Sequence, residues 1–329
     1  MSFKDPPTKK LADALIPRPE AQRLPDRHGA ARVHLRGLPC ETLGNLYDHA
    51  VRKPRKKSKP KLRQRRESRS YTGSDRGVAM NVAAIQRAQE GLRKGRYTPP
   101  SDVRKRELRD LIAWSGRKPL ADAQLTLFAG RRDDPNVDVF LAGDAELLCS
   151  PSVSVVGTRE VTDEGWQRAR RLGCELAAAG VVVVSGLAKG VDTAALSGAI
   201  DAGGHVVAVI GTPLTKAYPA ENAELQQTIY RDHLLVSPFP VGEQVYPANF
   251  PKRNRVMAAL SDATVIVEAS DTSGTLHQAD ACQKLGRWLF ILRSVVENPK
   301  VTWPRRFLSG PKTAIIDKTS EVLAKIGRP

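Results

Sequence analysis

No stretch of about 18 consecutive apolar residues occurs in the chain, and its N-terminus has no apolar h-region. Neither a membrane span nor export is therefore expected, and the chain reads as cytoplasmic. Its four cysteines, Cys40, Cys149, Cys174 and Cys282, are scattered, with no C-x-x-C and no pairing pattern with the histidines. Such spacing gives no support for a metal site, no cofactor is implied, and reduced thiols are the default. Catalytic signatures are equally scarce. The six histidines do not cluster. His205 and His233 fall at expected strand starts, far from a ligand edge, and read as structural. His277 is better placed, just after a Ser-Gly-Thr loop, although a helix-surface histidine is the commoner case. Glu268 is the only well-placed carboxylate, and spacing yields no nucleophile–base pair. These residues read as those of a binder rather than an enzyme.

What the chain has in excess is positive charge, a formal +17 over 329 residues, unevenly placed. From Pro151 onward 20 Lys and Arg stand against 17 Asp and Glu, so most of the excess belongs to the first 150 residues. Val51–Ser70 alone holds 11 basic residues and one acid, Glu67. A block of that kind cannot bury enough apolar surface to fold by itself. Residues 1–75 are accordingly expected to be a basic, partly disordered arm, with Val33–Leu38 the only hint of order. Its functional reading is attraction to a polyanion through counterion release; its bland reading is a solvated linker. Residues 76–130 are expected to be a small helical segment. Helices are predicted over 77–92 and 103–114, separated by Thr98-Pro99-Pro100-Ser101 with Ser101 as an N-cap.

Residues 131–329 read as the main domain. Val137–Leu141 predicts a strand and Gly143-Asp144 a turn into it. After Pro151 short β-branched runs recur at Val153–Val156, Val181–Val184, Val206–Ile210, Leu234–Val236, Thr264–Val267 and Trp288–Leu292. Nearly continuous apolar runs suit parallel strands covered on both faces. Helix-period stretches lie between them, over 163–179, 192–202, 220–232, 253–260 and 276–285. This alternation predicts an α/β fold with a doubly wound, mostly parallel, extended Rossmann-like sheet, with ligands at the carboxyl ends of the strands.

The loops at those ends carry phosphate-friendly residues: Gly157-Thr158-Arg159, Ser185-Gly186-Leu187-Ala188-Lys189-Gly190, Gly211-Thr212-Pro213 and Ser273-Gly274-Thr275. Glycine permits close backbone approach, hydroxyls and free N–H groups hydrogen-bond an anion, and Arg or Lys neutralises it. Any one loop is weak; Gly157-Thr158-Arg159 alone reads as a turn with an exposed arginine. Lys189 is as readily a solvated charge as a phosphate contact, and Asp192 reads as a helix cap. The heptad Asn249-Phe250-Pro251-Lys252-Arg253-Asn254-Arg255 is more unusual. Cations beside a ring suit a groove for single-stranded nucleic acid, the bland alternative being a helix whose first turn happens to be basic. Tyr218 and Tyr246 add rings near the same edge, although either could be packing.

In order, spacing and identity these motifs resemble the DNA-processing protein A (DprA/Smf) family, from about Val137 to Leu292. Gly143-Asp144, Tyr218-Pro219 with Asn222, and Val267-Glu268-Ala269 belong to the same pattern. The resemblance implies a Rossmann-like domain that binds single-stranded DNA without sequence preference, as a homodimer. It further implies protection of incoming strands and loading of a RecA-type recombinase during natural transformation. Carried over, Arg159, Lys189, Lys252, Arg253 and Asn254 would hold phosphates, Ser185 and Gly186 would add contacts, and Phe250 would stack a base. The chain departs from the family at Arg293-Ser294-Val295, where a Pro-Gly turn is usual, and at Leu276-His277-Gln278. No full winged helix is expected in the about 35 residues after the last matched strand. The alternative is a nucleotide-derivative sensor or nucleotide hydrolase of the same fold, with a role in defence. Hydrolysis is disfavoured because Gln278 stands where such a loop carries a glutamate.

Overall fold

β-branched runs that alternate with helix-period segments organise one continuous sheet. The computed structural model describes residues 97–121, 124, 127–128 and 137–327. The expected arm over 1–75, the hint of order at Val33–Leu38 and the predicted helix over 77–92 lie outside the described residues.

The strands are β1 (Arg104–Glu107), β2 (Asp138–Gly143), β3 (Ser152–Gly157), β4 (Val182–Ser185), β5 (Val206–Val209), β6 (Leu234–Ser237), β7 (Ala263–Glu268), β8 (Trp288–Leu292) and β9 (Thr313–Ile316). They form one sheet in the order β1-β2-β6-β5-β4-β3-β7-β8-β9. Pairing is antiparallel for β1–β2 and β2–β6. From β6 through β9 every pair is parallel. The helices are α1 (Leu108–Trp114), α2 (Asp163–Ala178), α3 (Val191–Asp201), α4 (Ala223–Asp232), α5 (Asn249–Ala259), α6 (Thr275–Lys284), α7 (Arg293–Val296), α8 (Pro304–Leu308) and α9 (Thr319–Ile326).

The strands are apolar throughout because each feeds two cores. Val182 and Val184 of β4 pack in one core with α1, α5 and α6, while Val183 between them packs in the other with α2, α3 and α9. A period of two residues per strand repeat delivers alternate side chains to opposite faces. From β3 the chain passes through α2 to β4 on one side; much later it returns through α5 to β7 on the other side of β3. The strand order therefore reverses between β3 and β7, the topological switch point where α/β sheets leave a crevice for ligands.

Two parts differ from the sequence expectation. The segment predicted as a helix over 103–114 begins as strand β1 and becomes helical only at Leu108. The antiparallel β2 offers an unpaired edge, Arg104 Nη2 donates to the carbonyl of Gly143, and three of the four β1 residues stay exposed. A short, charged strand suits an edge that must not recruit another chain. Beyond β8, strand β9 and helix α9 extend the sheet and its helical layer, elements outside the sequence expectation.

One buried ion pair fixes the chain entering the sheet. Arg117 is only 3% exposed; its Nη2 lies 3.1 Å from Asp262 Oδ2 and 2.6 Å from Ser152 Oγ, and it also donates to the carbonyls of Leu148 and Ser150. Removing one partner of a buried pair leaves the other charge poorly solvated. Asp262 keeps the backbone N–H of Ser152 at 2.9 Å, so the loss falls at the lower end of the about 3–5 kcal/mol typical of a broken buried pair. Arg117→Ala is expected to lower unfolding free energy by about 3 kcal/mol in urea titration; a change too small to resolve would show the pair to be dispensable.

Candidate nucleic-acid interface

At the switch point a cleft of about 570 Å³ opens between the ends of β3 and β7 and the first turns of α5 and α6. The β3–β7 register slips between Val156 and Gly157, so that Gly157 pairs with Glu268. An irregularity of this kind re-aims a strand end beside a site. The Thr158 N–H then donates to Glu268 O at 2.7 Å, and Thr275 Oγ1 donates to Gly157 O at 3.1 Å, which joins the two strand ends to α6.

Helix α5 forms one wall. Because it starts at Asn249, the basic heptad is wound around a helix rather than laid out along a groove. Phe250, Arg253, Asn254 and Met257, at i, i+3, i+4 and i+7, line the cleft. Lys252 is exposed and is absent from the lining. Arg255 leaves in another direction, where its Nη1 donates to Leu127 O at 2.9 Å.

Arg253 is turned inward and only 5% exposed. Nη1 donates to Gly186 O and, at 2.6 Å, to Val209 O, while Nε donates to Asn254 Oδ1 at 2.9 Å. Asn254 Nδ2 in turn donates to Gly274 O at 3.1 Å. The guanidinium thus connects the loop after β4 and the end of β5 with α5. Burial pushes its pKa down to about 10, opposed by the charge of Asp192 and reinforced by that of Arg159, so it is a cation at neutral pH. Burial raises the pKa of the Asp192 carboxyl, against the pull of Arg253 and of the N–H groups of Gly186 and Ala188 at 3.1 and 3.3 Å. Asp192 therefore ties the Ser185–Gly190 loop to α3, a role beyond that of a simple cap.

That loop is held by several further contacts. Ser185 is fully buried and its hydroxyl donates to Val155 O at 2.7 Å. Leu187 adopts φ 56°, a left-handed conformation that costs a side-chain-bearing residue of order 1–3 kcal/mol. Its buried side chain and the 2.9 Å bond from Asn222 Nδ2 to its carbonyl offset that cost. Lys189 points away and pairs with Glu221 at 2.8 Å, both about half exposed. A bridge so exposed is worth at most about 1 kcal/mol and is easily exchanged for a phosphate.

The cleft's outer rim is aromatic and cationic. The Arg159 guanidinium lies 5.2 Å from the Phe250 ring centroid, and Tyr218 meets Phe250 at 5.6 Å with a 46° tilt. Tyr218 is 45% and Tyr246 53% exposed, unusual for rings with no covering element. Gly211 seats Phe250, because a Cβ there would come within 2.7 Å of the ring. Arg159 has no acidic partner among the described residues. Ser273 donates to Thr275 Oγ1 at 2.9 Å and accepts from the Thr275 N–H, while Gly274 leaves open space at the start of α6.

Glu268 accepts from the Thr162 hydroxyl at 2.7 Å and from its N–H at 3.2 Å, and so holds the start of α2. His205 and His233 stack edge-to-face at 5.8 Å, with the pKa of His233 lowered by burial and by His205. His277 is exposed and outside the cleft lining. Gln278 is fully buried and donates to Thr264 Oγ1 at 3.1 Å, away from the cleft. No group of His, Cys, Asp and Glu suited to a metal occurs among the described residues.

The inward turn of Arg253 carries a test. A methyl group at Gly186 would lie 2.2 Å from Arg253 Nη1, which two carbonyls hold in place. Gly186→Ala is expected to cost about 1–3 kcal/mol of stability through overpacking, measured by chemical denaturation. An unperturbed midpoint would mean that Arg253 is free to move.

A family model described as DNA recombination-mediator protein A matches residues 124–326. The DNA processing protein DprA of Streptococcus pneumoniae (strain ATCC BAA-255 / R6) is 40% identical over 161 residues, covering 48% of this chain and 56% of the relative. That of Bacillus subtilis (strain 168) is 30% identical over 198 residues, 60% of this chain and 67% of the relative. The chain thus spans little more than half the length of the first of these. Among solved structures, S. pneumoniae DprA aligns with TM-score 0.57 at 28% identity, covering 78% of this chain and 84% of that one. Helicobacter pylori DNA processing protein A, described for its single-stranded DNA binding mode, aligns with TM-score 0.54 at 25% identity, covering 68% and 95%.

Proposed function

The chain belongs to the DNA recombination-mediator protein A family, and from that premise we propose that it binds single-stranded DNA without sequence preference through the switch-point cleft. The observation that carries this is the pairing of two cations with an exposed aromatic ledge. Arg159 and Arg253 face the same cleft, the charge of Arg159 adds to the downward push on Arg253, and an arriving phosphate relieves that repulsion. Tyr218 and Phe250 offer π-faces on which any base stacks, while the backbone meets the cations and the open start of α6. Gly157, Thr158, Ser273, Gly274 and Thr275 line the phosphate side. Ser185, Gly186 and Gly211 act behind it by positioning Arg253 and Phe250, and Lys189 and Lys252 add exposed charge outside the lining.

The proposed role is a recombination mediator in DNA uptake and processing, acting by binding rather than by catalysis. The engagement of Glu268 with Thr162, and of Asp192 with the Ser185–Gly190 loop, supports binding over bond cleavage. Assembly as a homodimer and delivery of the strand to a RecA-type recombinase belong to the same proposal, and rest on the family resemblance. The cleft's volume would also admit a mononucleotide, which supplies the competing reading of a nucleotide sensor.

Fluorescence anisotropy with labelled single-stranded oligonucleotides separates the two. Phe250→Ala is expected to lose about 1–3 kcal/mol of binding, the contribution of one stacked base. Arg159→Ala should weaken all sequences alike and flatten the salt slope by about 0.7. Tight mononucleotide binding without any response to oligonucleotide would support the sensor and sink the strand-binding proposal.

A further inference from the structure

A second basin lies along the same carboxyl edge of the sheet. It encloses about 470 Å³ between α2, the start of α9 and the ends of β8 and β9 at Leu292 and Ile316. With strands spaced about 4.8 Å apart, the β8–β9 boundary lies roughly 10 Å along the sheet from the β3–β7 switch point, and the basin opens on the α2 and α9 side of the sheet, opposite α5 and α6. Arg168 and Arg171 of α2 and Lys318 before α9 line the basin. Arg168 and Arg171, at i and i+3, project from one face of their helix.

The acids around this basin are already engaged. Asp317 pairs with Arg293 at 2.8 Å, and Glu175 accepts from the Thr319 hydroxyl. Glu321 accepts from the backbone N–H groups of Asp317 and Lys318 at 2.9 and 2.8 Å. Arg168, Arg171 and Lys318 have no acidic partner among the described residues. With Arg293 paired to Asp317, three cations face the single remaining lining carboxylate, Glu175, and an anion that enters is drawn by the excess positive charge. Two guanidiniums with hydroxyls opposite, on Ser294 and Ser320, match the oxygens of a phosphate group.

We propose that this basin binds phosphate and, resting on the strand-binding reading of the cleft, that it holds a backbone phosphate of the same single strand beyond the cleft's end. The cleft grips the strand by bases and phosphates together; the basin grips it by phosphate alone. Longer strands then bind more tightly than short ones for a local structural reason, with no second protein copy required.

The test uses the full chain, inorganic pyrophosphate and a length series of thymidine oligonucleotides. In calorimetric titration, R168A/R171A is expected to lose a pyrophosphate-binding event that R159A retains. Both substituted side chains are exposed, so folding is unaffected. On oligonucleotides just long enough to fill the cleft, R168A/R171A should bind like the parent. On longer ones it should bind about tenfold more weakly, the loss of charged hydrogen bonds, with a salt slope reduced by about 1.4 for two contacts. Equal pyrophosphate binding by R168A/R171A and the parent would overturn the basin. Loss of pyrophosphate with an unchanged gain from strand length would overturn the strand extension and leave a site for a free phosphorylated ligand. Should the parent bind no single strand, the cleft reading fails with the extension, and the pyrophosphate titration still decides the basin.

Discussion

The buried guanidinium of Arg253 is the constraint on which the cleft depends. Taking an isolated charge out of water costs several kcal/mol, recovered only where hydrogen bonds and an opposite charge surround it. Here the Gly186 and Val209 carbonyls, the Asn254 amide and the nearby Asp192 do so. Those groups come from the loop after β4, the end of β5, α3 and α5, so one side chain sets their mutual positions. Gly186 lacks a side chain because the guanidinium occupies that space, and the nearby cation opposes the upward push of burial on the Asp192 carboxyl. The cleft is thus preorganised from beneath, with its floor fixed before any ligand arrives.

Above that floor the rim can rearrange. Arg159 rests on the Phe250 ring, a contact worth about 0.5–1 kcal/mol at an exposed position. A stacked base is worth about 1–3 kcal/mol, so in the proposed complex a base would displace the arginine, and the freed guanidinium would turn to the phosphate that arrives with it. The same arithmetic applies to Lys189, whose exposed bridge to Glu221 opposes exchange only weakly. A rigid interior with weakly tethered cations outside suits a ligand of constant backbone and variable bases. Neither stacking nor phosphate neutralisation distinguishes one base from another.

Much of this was legible in the sequence because parallel strands buried on two faces leave an unambiguous apolar signal. The runs at Val153–Val156, Val206–Ile210 and Trp288–Leu292 each became strands, and the helices between them start within a few residues of expectation. The same pattern placed Gly157-Thr158-Arg159 and Ser273-Gly274-Thr275 at one edge, where both line the cleft. Sequence could not give the direction of side chains on a helix whose start was uncertain. Lys252, Arg253 and Arg255 looked like one cationic cluster, yet a start at Asn249 sends them to solvent, to the core and to the Leu127 carbonyl. Edge strands β1 and β9 escaped notice because they are short and half exposed, so pairing rather than pattern defines them. The convergence of Arg168 and Arg171 with Lys318 was invisible for a simpler reason. Contacts so far apart in sequence exist only once the sheet has formed.

The most direct measurement is photo-crosslinking of the full chain to a single strand carrying bromodeoxyuridine, with the attached residues read by mass spectrometry. Crosslinks are expected at Phe250 and Tyr218, where bases would stack on the cleft's ledge. Crosslinks confined to residues before Val137 would contradict it, because the strand would then be read by the basic N-terminal region and not by the sheet's switch point.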